Sequence, residues 1–215
     1  MGGLVSLALV EKFPGLFDGA VPLCAPDAGA PRMFDHKLDI LVAYATVFPW
    51  NDQWGTPGNL RQDLNVMAEV VPSVYQQLIP MTPDKLWRWE FLRLVNRIPF
   101  DSFYQRVPGQ AYPYAFIDVV LTFLPLLDVN QRAGGQVAQN VGRVYTLENE
   151  DRSYLQDVLG VSPAVLDTKL QEMNAQAIYA SDRNARNYVE HYYNPTGRIT
   201  RPVLTLHTTG DPIVP

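Results

Sequence analysis

Few groups in this 215-residue chain can do acid–base or nucleophilic chemistry, and they are dispersed. The three histidines, His36, His191 and His207, and the lone Cys24 have no metal-ligand spacing. One cysteine also rules out a disulfide within the chain. Asp211 is the acid that stands out. It lies in the turn Thr208-Thr209-Gly210-Asp211-Pro212, after the β-rich run Val203 to His207. A carboxylate at the end of a buried strand can hold an imidazole in one tautomer and stabilise its protonated form. Taken by itself Asp211 reads as plain turn chemistry, since Asp-Pro after Gly is common in turns; the catalytic role is what a family resemblance of the flanking residues implies. His207 stands at the end of the β-rich run, four residues before this acid. His36 and His191 read as packing or solvated side chains. Ser6 falls inside an apolar helix and Ser162 at a helix cap. Ser73, Ser102, Ser153 and Ser181 lack the glycine-flanked turn that presents a nucleophile. No side chain reads as the nucleophile.

Aromatic residues form the second candidate set. The stretch Trp50-Asn51-Asp52-Gln53-Trp54-Gly55 mixes indoles with polar turn residues, which suits a lid or the wall of a substrate pocket. The competing reading places Trp50 and Trp54 in a hydrophobic core. Trp87 reads as core.

These residues are positioned by a chain that changes character twice. Gly2 and Gly3 lead into an apolar helix over 4–13, broken by Pro14 and Gly15. Residues 19–25 read as a short buried strand, although Pro22 argues against a central position. From about Arg32 to Thr200 the spacing is helical. Helices are expected over 37–48, 59–70, from Thr82 through Ile98, over 115–127, from Ser162 through Met173, and over 182–193. Thr82-Pro83 and Ser162-Pro163 are cap-plus-proline signals. Residues 202–207 read as a second buried strand. Two strands do not make a stable sheet alone, so their faces and edges call for partners.

Composition narrows the function classes. The net charge of -5 and scattered Lys and Arg argue against a nucleic-acid partner. No apolar run is long enough to span a bilayer, and 4–10 lacks the features of a signal peptide. The compartment is not legible.

The two ends together resemble the α/β-hydrolase family. Met1-Gly2-Gly3 is similar to the close of the nucleophile elbow G-x-S-x-G, with the serine falling just before Met1. Val203 to Pro215, ending in Asp211-Pro212-Ile213-Val214-Pro215, resembles the late strand and acid loop of that family. A helical cap inserted between those strands is also a family habit. The resemblance implies an α/β fold: a partial hydrolase core with two remaining strands and a large, mostly helical cap insertion. Residues 1–31 and 201–215 would be core and 32–200 cap. It implies a carboxylic ester hydrolase with a Ser-Asp-His triad, of which this chain holds only Asp211.

Further expectations follow from the resemblance. The backbone N–H of Met1 would serve the oxyanion hole of an intact chain, and Gly2 and Gly3 would be the elbow glycines. No cofactor or metal is implied. The substrate would be a small or polymeric ester, and the chain alone would be inactive. Its exposed sheet remnant would favour self-association. Three alternatives remain open: an aspartate or cysteine nucleophile, giving an epoxide, haloalkane or lactone hydrolase; a non-enzymatic helical binding module; and a processed subunit whose partner supplies serine and histidine.

Overall fold

The computed structural model describes residues 2–25, 29–98 and 113–207. Most of the described chain is helical. Its centre is helix α2 (Ala30–Val47), with Pro31 in the first turn where a missing N–H costs nothing. Leu38, Leu41, Val42, Ala43 and Tyr44 are all fully buried on it. The half of α2 from Ile40 to Val47 is apolar nearly all round and must be enclosed. Helix α2 is packed by α4 (Pro83–Val95), α5 (Pro113–Ala133), α7 (Pro163–Ala175) and α8 (Arg183–Tyr193). Helix α3 (Val71–Leu78) packs on α5, and the short α6 (Asn149–Ser153) precedes α7.

Helix starts follow the cap chemistry. Thr82 Oγ1 accepts from the Lys85 N–H, Ser162 Oγ from the Val165 N–H, and Asp182 Oδ1 from the N–H groups of Asn184 and Ala185. Helix α8 is further tied to α2 by Arg186, whose guanidinium donates to both oxygens of Asp35 at 2.7 and 3.1 Å.

One expectation needs correction. Residues 59–70 are not one helix. Strand β1 (Gly55–Thr56) pairs antiparallel with β2 (Asn59–Leu60), and a single π-type turn occupies Val66–Val70. Arg61 holds this shape by pairing with Asp63 at 2.8 Å and Glu69 at 2.6 Å. On α4 the buried face is Trp89 to Leu92, with Trp87 only half-buried and its indole N–H donating to Asp84. Glu90 is buried there because Arg93 donates to it at 2.7 Å.

The two ends of the described chain meet. Helix α1 (Gly2–Lys12) covers residues 20–25, burying Leu4, Leu7 and Val10, and Leu4 joins the main core. Residues 20–23 and 203–206 run parallel, with Ala20 opposite Val203 and Leu23 opposite Leu206. The ladder is regular: Ala20 N–H to Pro202 O, Leu204 N–H to Ala20 O, Leu206 N–H to Pro22 O, and Cys24 N–H to Leu206 O, all between 2.8 and 3.1 Å. A parallel pair needs a crossover connection, and here the whole helical body supplies it. Glu11 at the end of α1 accepts from the Thr196 N–H and hydroxyl and from the Gly197 N–H, which anchors the approach to the second segment. Helix α2 begins at Ala30, so the expected core–cap boundary falls within its first turn. Among the described residues, no helix is long and apolar enough to cross a membrane.

Candidate functional site

The parallel ribbon and α1 define the first place where chemistry could be assembled. Register puts Val21 and Leu23 on the same face as Leu204 and Leu206, and all four are exposed. Pro22, on the opposite face, is buried, and so is Ala25, against which α1 packs. Gly3 explains how close that packing is. A methyl there would sit 2.5 Å from the Leu23 carbonyl oxygen and 2.8 Å from Ala25 Cβ. The start of α1 therefore rests on the carboxyl end of the first segment, beside the carboxyl end of the second. At Gly2 a methyl would meet nothing within 4 Å. The elbow expectation for the pair thus has a steric counterpart at Gly3 and none at Gly2.

Asp211 and Met1 lie outside the described residues. The second segment runs toward Asp211, and its last described residue, His207, is exposed. His191 is exposed against Tyr192, with ring centroids 4.6 Å apart. Ser6 is half-buried and its hydroxyl donates to the Gly2 carbonyl at 3.0 Å, a bond to its own helix.

The tryptophans form a cluster with α2 and α5. Trp54 is fully buried, edge-on to Trp50 and Phe123 at 5.4 and 5.6 Å. Trp50 is half-buried, stacks on Phe123 at 5.8 Å and donates its indole N–H to the Gly55 carbonyl. Tyr44 and Phe48 extend the cluster. These contacts make Trp54 a core residue and leave only part of Trp50 accessible.

A second place was missed from the sequence. A polar cavity of about 400 Å³ lies between α2, the end of α4 and residues 143–146. His36 and Asp39, one helical turn apart on α2, form its floor. Asp39 is almost wholly buried, and its Oδ1 accepts from the Tyr145 hydroxyl at 2.5 Å. Tyr145 is held in turn by Asn140 and, through its backbone, by Asn174. Arg143 lies 2.8 Å from Asp39 Oδ2, close enough for an ion pair. Oδ2 has that ion pair and no further partner among the described residues, and the buried His36 Nε2 has no hydrogen-bond partner there. Burial pushes the Asp39 carboxyl up to about 6 against the opposing Tyr145 and Arg143. Burial, helped by the charges of Lys37 and Arg143, pushes His36 down to about 4. Asp39 is half-titrated near pH 6, where His36 is neutral.

Among the described residues, no three His, Cys, Asp or Glu side chains gather as a metal site. No family model, curated protein or solved structure matches this chain.

Proposed function

We propose that this chain is part of an α/β-hydrolase acting on carboxylic esters. It contributes the triad acid Asp211, the elbow turn at Met1, Gly2 and Gly3, and the helical cap. The observation that supports this reading is the parallel ribbon. Two segments separated by the entire helical body lie side by side, with the start of α1 at their carboxyl ends. Open α/β sheets place their sites at the carboxyl ends of parallel strands. The apolar face of Val21, Leu23, Leu204 and Leu206 is what such a sheet buries under a second helical layer.

In this mechanism a serine directly before Met1 attacks the acyl carbon, and a histidine takes its proton and returns it to the leaving group. Asp211 keeps that imidazole in the reactive tautomer and offsets its charge. The Met1 N–H helps to bind the oxyanion. The cap closes over the acyl or alcohol side and excludes water. The 215 residues alone hydrolyse no ester, because nucleophile and histidine come from flanking sequence or a second chain.

The genomic sequence on either side of this segment tests the reading. A Gly-x-Ser codon run ending at Met1, with a histidine codon after Pro215, is the expected result. An aspartate or cysteine codon in place of the serine replaces ester chemistry with epoxide, haloalkane or lactone hydrolysis. Flanks with neither nucleophile nor histidine, and no second chain carrying them, overturn it.

A further inference from the structure

The cavity on α2 is independent of the hydrolase reading. Two of its features ask for a ligand of definite chemistry. On its floor the buried His36 Nε2 has no hydrogen-bond partner among the described residues, and the buried Asp39 Oδ2 is met only by the Arg143 ion pair at 2.8 Å. Buried acceptors without donors are uncommon, and each needs a reason. At its mouth stand two guanidinium groups, Arg97 and Arg143, both on well-exposed side chains. Arg97 has φ of 55°, a left-handed backbone that a non-glycine residue seldom adopts, at the point where the chain leaves α4. Its partner is Glu148, also exposed, and such rim pairs exchange readily for an incoming anion. A single water occupies roughly 30 Å³, so a cavity of about 400 Å³ is built on the scale of a small molecule.

We propose that this cavity binds a small carboxylate that carries hydrogen-bond donors on the carbon next to it. The carboxylate faces Arg97 and Arg143 at the mouth, where guanidinium matches it in charge and shape. Amino or hydroxyl donors reach inward to His36 Nε2 and Asp39 Oδ2. Tyr145, locked by Asn140 and Asn174, keeps Asp39 turned toward the ligand. A carboxylate without donors draws Arg143 from Asp39 and returns nothing to Oδ2 or to His36 Nε2, and a polyol without charge leaves the arginines unused. Selectivity for the combined ligand follows.

The test is imidazole nitrogen NMR on histidine-labelled protein, which gives three side chains to follow. The probes are L-serine, with amino donors, L-tartrate, with hydroxyl donors, and acetate and inorganic phosphate as donor-poor anions. L-Serine or L-tartrate should move the His36 Nε2 signal saturably, with Kd at least about tenfold below that of acetate. Which of the two binds better identifies the donor type. Arg97→Met, at an exposed head paired only with exposed Glu148, should weaken that binding about tenfold or more, and Arg143→Met and Asp39→Asn likewise once urea unfolding shows both variants folded. A His36 signal that no probe moves, or one moved equally by acetate and phosphate, overturns the proposal. The cavity is then a solvent pocket with two surface arginines.

Discussion

Gly2 and Gly3 are adjacent in one helix, yet the structure assigns them opposite responses to the same substitution. Gly→Ala inside a helix ordinarily stabilises by about 0.5–1 kcal/mol, through lost freedom of the unfolded chain and better propensity. At Gly2 nothing opposes that gain, since the methyl meets no atom within 4 Å. At Gly3 the methyl would lie 2.5 Å from the Leu23 carbonyl oxygen and 2.8 Å from Ala25 Cβ. The first neighbour is backbone in the parallel ribbon and cannot rotate away. Overpacking of this kind costs about 1–3 kcal/mol, so Gly3→Ala should be net destabilising by roughly 1–2 kcal/mol. In a domain of this size 1 kcal/mol moves Tm by about 2–4 °C. Thermal unfolding of both variants beside the wild type should show Gly2→Ala unchanged or slightly higher and Gly3→Ala lower by several degrees. Hydrogen exchange at the Leu204 and Leu206 amides, which donate to the first segment, should accelerate only in Gly3→Ala. Equal behaviour of the two variants would refute the close packing of α1 on the ribbon.

Further expectations follow from other parts of the molecule. His36 is held below its ordinary pKa, so the unfolded chain binds the proton more tightly and stability from this group rises with pH between about 4 and 6.5. Asp39 is held above its ordinary pKa, so its contribution is largest below about pH 4 and falls as pH rises toward 6. The two slopes oppose each other, each worth about 3 kcal/mol over its window. Urea unfolding across pH 4–6.5 should show a rising slope in Asp39→Asn and a falling one in His36→Gln; parallel curves would contradict the shifts. Arg186→Met, which leaves Asp35 largely buried without its guanidinium, should cost about 2–4 kcal/mol in the same assay; a loss under about 0.5 kcal/mol would place that pair among weak surface contacts. The open ribbon face should drive self-association, and the cross-strand pair Leu23→Glu with Leu206→Lys should shift sedimentation toward monomer.

What the sequence disclosed depended on how local the cause was. The cap residues Thr82, Ser162 and Asp182 work through bonds to the next few amides; the first two were legible as caps, and Asp182 only as the start of a helix. So were the two end segments, whose short β-rich runs break the helical period. Residues 59–70 misled because Leu60, Leu64 and Met67 fit a helical stripe, whereas Arg61 gathers Asp63 and Glu69 into a compact turn. Trp87 was legible in part: it packs half-buried against the core, while the salt-bridged Glu90 takes a buried place beside it. The cavity was invisible for a different reason. His36 and Asp39 gain their meaning from Tyr145 and Arg143, which lie far away in sequence. A His and an Asp one turn apart at the edge of the apolar run 40–47 was the signal available.

The hydrolase account is tested most directly by the mass of the protein encoded by the uninterrupted reading frame containing these residues, after reaction with a fluorophosphonate. The account predicts a single adduct, mapped to a serine immediately before Met1, and loss of that labelling on Asp211→Asn. No adduct, or one on a serine elsewhere, would contradict it.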